Sequence, residues 1–188
     1  MEIKDMNLEQ YETHYSEIAP NYPYVDDFSP YGNHWHRTNF IIQYMKPGLK
    51  VWDASCSNGG LAKYLTENYD LKYFASDIAP FFVQNAQRSA PKSICAAFPL
   101  EKTPFADGVF DVVIAGEVLE HVLNIHVALL EIIRVLRPNG YLLATTPREP
   151  DQNKQHLRFL GESEWKELLP KAAIIDGKYS WLVAWQNA

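Results

Sequence analysis

The chain has 188 residues, 47% of them apolar and 21% charged, which suits one domain with a sizeable core and is short for two. A formal charge of −6 and a pI near 5.5 exclude a general attraction to phosphate backbones, because nonspecific nucleic-acid affinity comes mainly from Lys and Arg neutralising phosphates. The two cysteines, Cys56 and Cys95, lack CxxC spacing and no apolar run reaches the roughly 18 residues of a membrane span, so no disulfide framework, cysteine zinc site or membrane anchor is expected, and the cytoplasm is.

The first stretch, "YETHYSEIAPNYPYVDDFSPYGNHWH", is crowded with Tyr, Pro and acidic residues and reads as a helix followed by an irregular segment. A helical pattern then runs from about residue 33 to 45 and stops at "KPG". Strand and helix patterns alternate from there. "LKVWDA" precedes a helix over 59–68, "LKYFASD" a helix over 80–88, and "KSICAAF" is a third strand. "VFDVVIAG" precedes a helix over 122–136 and "GYLLATTP" a helix over 162–169, and "KAAIIDG" and "YSWLVAWQ" close the chain. Such alternation implies crossovers between parallel strands, hence an α/β, doubly wound, mostly parallel seven-stranded sheet with an N-terminal helical segment. One domain is expected over 1–188, with residues 1–32 as an N-terminal segment and 33–188 as the core.

In such sheets a ligand lies beyond the carboxyl ends of the strands, at the point where the strand order reverses. Those ends carry "DASCSNGG" (53–60), Asp77, Phe98, Gly116 with Glu117, and Thr145 with Thr146. A carboxylate ending the second strand is placed to take both hydroxyls of a ribose, so Asp77 is the ribose candidate. By itself Asp77 also reads as a cap for the following helix. A pyrophosphate would meet the Asp53 carboxylate and no "GK[ST]", so a nucleoside with a positive centre fits the loop better.

"VWDASCSNGGLAKYL", "YFASDIA", "TPFADGVFDVVIAGEVLEHV" and "IIRVLRPNGYLLATTP" resemble, in order and spacing, the successive motifs of the class I S-adenosylmethionine-dependent methyltransferases of the small-metabolite type. "HLRFLGESEWKELL" resembles the segment that follows in that family. The resemblance implies S-adenosyl-L-methionine as cofactor and S-adenosyl-L-homocysteine as product. It implies that Asp53, Ala54, Ser55, Ser57 and Gly59 hold the methionine part and Asp77 the ribose, with Ile78, Phe98, Gly116 and Glu117 completing the contacts. The chain departs from the family pattern in three respects. Ser55 and Ser57 stand where the loop usually has its first two glycines, and their hydroxyls are expected to contact the methionine carboxylate. The Asp that commonly accepts from the adenine amino group is missing from "CAAFPLEK", leaving Phe98 to stack on the adenine or to pack in the core. Asn139 replaces a glycine in "RPNG", and Asn tolerates the left-handed conformation a turn requires there.

Methyl transfer gains mostly from positioning, and a base is needed only if the acceptor has a proton to lose. His121 in "GEVLEHV" is the nearest candidate base, alongside a structural reading in which it fixes the turn. His156 and Arg158 are candidates to face the acceptor, or else belong to a salt-bridged loop. "HWH" sets His34 and His36 two apart, off a shared helical face, and no metal site is expected. Tyr11, Tyr15, Tyr22, Tyr24, Tyr31 and Trp35 either cover the sheet edge or form a lid and an aromatic wall for the acceptor; the resemblance favours the lid, over residues 1–32, because that family closes its site with an N-terminal helical segment. The favoured reading is a methyltransferase for a small-molecule acceptor, with neither nucleic acid nor membrane as partner and no feature that specifies an oligomer. The alternatives are a non-catalytic S-adenosylmethionine-binding module with the same fold, and a methyltransferase for a macromolecule.

Overall fold

A computed structural model describes residues 2–22, 27–30, 32–150 and 153–188 of the chain. Helix α1 (Leu8–Ile18) starts in a capping box: the Asn7 side chain accepts from the Gln10 amide and the Gln10 side chain from the Asn7 amide. It ends in a 3-10 turn at Ala19–Asn21, where Pro20 cannot continue the helical bonding. Helix α2 (Trp35–Ile41) runs on through a second such turn, Ile42–Tyr44.

The alternating region gives β1 (Lys50–Asp53), α3 (Gly60–Asn68), β2 (Lys72–Asp77), α4 (Pro80–Ser89) and β3 (Ile94–Ala97). It continues with β4 (Phe110–Gly116), α5 (Ile125–Val135), β5 (Leu136–Pro147), α6 (Glu162–Leu168), β6 (Ala173–Asp176) and β7 (Ser180–Gln186). They form one seven-stranded sheet in the order β3-β2-β1-β4-β5-β7-β6. The first five strands pair in parallel, and β7 runs antiparallel between β5 and β6. Strand order reverses between β1 and β4, so their carboxyl ends open a crevice.

Successive residues of a strand point to opposite faces, and both faces of the central strands are buried. Trp52, Val113 and Leu142 therefore pack with α5 and Trp165 on one side. Val51, Val112, Ile114 and Leu143 pack with Leu61, Leu65 and Ala86 of α3 and α4 on the other. The expected elements are present with two shifts. Helix α5 begins at Ile125 rather than 122, because the Asn124 side chain accepts from the amides of His126 and Val127 and fixes the start there. Strand β5 begins early, at Leu136, and passes Asn139 at φ 63°, the left-handed conformation expected of that residue.

Candidate active site

The turn from β1 into α3 explains which glycine of the loop is indispensable. Gly59 has φ 81°, and a Cβ there would lie 2.6 Å from the Ala86 Cα and 2.5 Å from the Ser89 Oγ of α4. Close approach of the two helices thus requires glycine at this position. Ser57 also has positive φ, 46°, a conformation that costs a non-glycine residue about 1–2 kcal/mol. Ser55 is not in that region, and its hydroxyl donates to the Gly116 carbonyl at 3.0 Å, tying the end of β1 to the end of β4. This corrects the expectation for Ser55: its hydroxyl proton is committed within the protein. The two serines therefore part company in an unfolding experiment. Ser55→Ala is expected to lose about 0.5–1.5 kcal/mol with its hydrogen bond. Ser57→Gly is expected to stay within about 0.5 kcal/mol of the parent, since relieved strain offsets the extra freedom of the unfolded chain. Urea midpoints check both, and equal losses would show that the distinction is wrong.

Two carboxylates lie beneath and beside the loop. Asp53 is buried, accepting from the Tyr73 hydroxyl at 3.1 Å and the Ser55 amide at 3.5 Å. Asp77 accepts from the Ser57 amide and the Ala79 amide, both at 3.1 Å, so it shapes the loop and caps the turn before α4 together. Burial pushes Asp53 up to about 7, against the hydrogen bonds from Tyr73 and Ser55. Desolvation pushes Asp77 up to about 6, against backbone donors from Ala79, Ser57 and Ile78. A carboxyl raised above its unfolded value contributes stability that is complete below that value and lost as pH rises through the folded one. Replacing Asp53 by Asn should then favour the variant progressively between about pH 4 and pH 7, by up to about 1.4 kcal/mol per pH unit. Unfolding free energies of the two proteins across that range test it, and a constant difference would contradict it.

At the opposite end the turn after β4 is held from several sides. Glu117 takes φ 51° and its amide donates to the Thr145 carbonyl. Arg158 donates to the carbonyls of Leu119, Val122 and Leu123 at 3.0, 2.5 and 3.2 Å. It clamps this turn instead of facing an acceptor, which corrects that expectation. His121 Nδ1 lies 3.1 Å from the Gln155 carbonyl and 3.1 Å from the Tyr15 hydroxyl. Tyr11 donates to the His121 carbonyl at 2.9 Å, and His14 donates to the Gln155 side chain. Helix α1 thus fastens to the His121 turn and the Gln155 segment through three aromatic side chains. The His156 ring stands 4.6 Å from that of His121.

Asp53, Asp77, Glu117, His121 and His156 line one cavity of about 510 Å³ at the carboxyl ends of the strands. The cavity brings together most candidates of the β1 loop and strand ends, with His121 and His156, against a wall that includes Tyr11, Tyr15, Tyr22 and Phe82. Gly59 stands behind it, at the contact between α3 and α4. Phe98 packs with its ring 5.4 Å from that of Phe105 and 6.2 Å from that of Trp52, and it also lines the cavity. Tyr24 and Tyr31 lie outside the described residues. Trp35 packs on Tyr64 instead of lining the cavity. His34 and His36 do not pair with each other: His34 contacts Arg37, and His36 lies 3.4 Å from the Ser180 hydroxyl. Glu120 is a site residue that the sequence does not single out. It is 1% exposed and groups with His121 and His156, their ligand atoms lying within 4.8 Å of one another. The spacing "EH" then a His 35 residues on carries no local signal, and only the fold unites them.

Residues 52–144 match a family described as Methyltransferase domain. The chain belongs to the class I S-adenosylmethionine-dependent methyltransferases, and its sheet has the fold of that class. It is 29% identical over 144 residues to the 2-methyl-6-phytyl-1,4-hydroquinone methyltransferase of Synechocystis sp., covering 72% of this chain and 45% of the relative. It is 33% identical over 123 residues to the phthiotriol/phenolphthiotriol dimycocerosates methyltransferase 1 of Mycobacterium ulcerans, covering 64% and 45%. The chain thus spans about half the length of these curated relatives. Among solved structures, a SAM dependent methyltransferase from Aquifex aeolicus superposes with a TM-score of 0.69 at 18% identity, covering 81% of this chain and 89% of the other. The PH0226 protein from Pyrococcus horikoshii OT3 does so with 0.70 at 21% identity, covering 90% and 98%. Among the described residues no helix is long and apolar enough to cross a membrane.

Proposed function

We propose that this protein is an S-adenosylmethionine-dependent methyltransferase for a small, largely apolar acceptor that carries a hydroxyl or hydroquinone group. The observation that carries this reading is Asp77: a partly buried carboxylate at the end of β2, joined to the loop through the Ser57 amide and lining the strand-end cavity. The residues present fit the nucleoside. Each oxygen of Asp77 accepts from a backbone amide and keeps capacity for ribose hydroxyls. Glu117 Oε1 and Thr145 Oγ1, both buried without a hydrogen-bond partner among the described residues, border the same space. When bound, the cofactor supplies a methyl group on a sulfonium. Asp53, Asp77, Glu101, Glu117 and Glu120 line the cavity against Arg37 alone of the Lys and Arg among the described residues, so that positive charge meets a mostly acidic surrounding.

On the acceptor side, Tyr11, Tyr15, Tyr22 and Phe82 offer aromatic surface to an apolar ring. His121 and His156 face the acceptor's reacting atom. The acceptor class also draws on the hydroquinone named for the first of the two relatives above. Helix α1 closes the cavity as a lid, a role supported by the Tyr11, His14 and Tyr15 contacts to the His121 and Gln155 segments. Free thiols at Cys56 and Cys95 suit a reducing compartment such as the cytoplasm. Calorimetric titration with S-adenosylmethionine and S-adenosylhomocysteine, followed by transfer of a labelled methyl group to hydroquinone acceptors, tests the reading. Heat of binding and label in the acceptor are expected. No heat at millimolar nucleoside would reject it.

A further inference from the structure

We propose that Glu120, His121 and His156 form a site for a divalent transition-metal cation in the wall of the cavity. The ligand atoms of the first three lie within 4.8 Å of one another, and His121 Nε2 is 3.9 Å from Glu120 Oε1. Bonds of about 2.0–2.2 Å to a common ion set ligand atoms roughly 3–4 Å apart, so closing the site asks for side-chain movement on the order of 1 Å.

The surrounding hydrogen bonds set the tautomers of both imidazoles. A carbonyl oxygen only accepts, so the contact of His121 Nδ1 with the Gln155 carbonyl places the ring proton on Nδ1 and the lone pair on Nε2, toward Glu120. This is the outer-shell arrangement that orients metal-bound imidazoles. In His156 the Asn153 amide donates to Nε2, and Asn153 Oδ1 accepts from the Gln155 amide, which fixes the orientation of that side chain. Nε2 of His156 therefore also carries a lone pair, and a cation would take the place of the Asn153 amide proton. Glu120 is 1% exposed, and a buried carboxylate is stabilised by an adjoining positive charge.

Independent support comes from outside the trio. Thr145 and Glu117 line the same cavity, and the Thr145 Oγ1 and Glu117 Oε1 are buried without a hydrogen-bond partner among the described residues. Two imidazoles with carboxylate oxygens suit Zn²⁺, Mn²⁺, Fe²⁺ or Co²⁺ better than Mg²⁺, which prefers an all-oxygen shell. A cation here can hold an acceptor oxygen, a role that rests on the proposed methyltransferase reading, whereas cation binding itself does not.

Equilibrium dialysis of the full chain against Zn²⁺ and Mn²⁺, with elemental analysis, reads the site directly. The unmodified protein is expected to retain a single equivalent of one of these ions. His156→Ala and Glu120→Gln are each expected to weaken retention by about 10–100-fold. Circular dichroism establishes that each variant is folded, and two variants keep the test open if one is not. An unmodified protein that retains neither ion overturns the proposal, as does equal retention by the folded variants. Titration of the same samples with S-adenosylhomocysteine separates the readings: retained metal without nucleoside binding would sink the methyltransferase assignment and leave the cation site standing.

Discussion

Gly59→Ala is expected to lower stability by about 2–5 kcal/mol. The left-handed φ of 81° costs an alanine about 1–2 kcal/mol. Crowding adds about 1–3 kcal/mol, because the new methyl would meet the Ala86 Cα at 2.6 Å, a backbone atom that moves only if α4 moves. At about 2–4 °C per kcal/mol for a chain of this size, Tm should fall by on the order of 10 °C. Gly48 separates the two contributions. It has φ 83°, but a methyl group placed on it would find nothing within 4 Å. Gly48→Ala should therefore lose only the conformational part, about 1–2 kcal/mol. Thermal unfolding of both variants checks this, and equal losses would mean that helix contact plays no part in retaining Gly59.

Asp77→Ala is expected to weaken nucleoside binding roughly ten- to hundredfold, the loss when charged hydrogen bonds disappear. The side chain acts twice in the site. It would accept from the ribose, and it already accepts from the Ser57 and Ala79 amides, so its removal frees the loop as well. Asp77→Asn refines the test. An amide keeps one accepting oxygen but sets an NH₂ group against one of those two backbone donors, so binding should fall here also. Calorimetry with S-adenosylhomocysteine reads both variants. An unchanged affinity would reduce Asp77 to a cap for the turn before α4.

Local pattern is enough for most of the scaffold. Alternating apolar runs and helical stretches determined the seven strands and their mostly parallel pairing, because connections of this length between such strands must cross over. Asp53, Gly59 and Asp77 were legible for the same reason: each sits at a strand end or helix start within a few residues of a recognisable boundary. The fate of the two serines was not. Ser55 donates to Gly116, 61 positions away, and of the two only Ser57 takes positive φ; neither fact is written in the loop itself. Arg158 looks in sequence like a free cation near an acceptor, yet three carbonyls of the 119–123 turn absorb it. Glu120, His121 and His156 come from segments that only the return of the chain after β5 brings together. Periodicity records which face of an element is buried, and so determines the fold; a site assembled from side chains on separate segments depends on distances that arise only when the sheet has closed around its core.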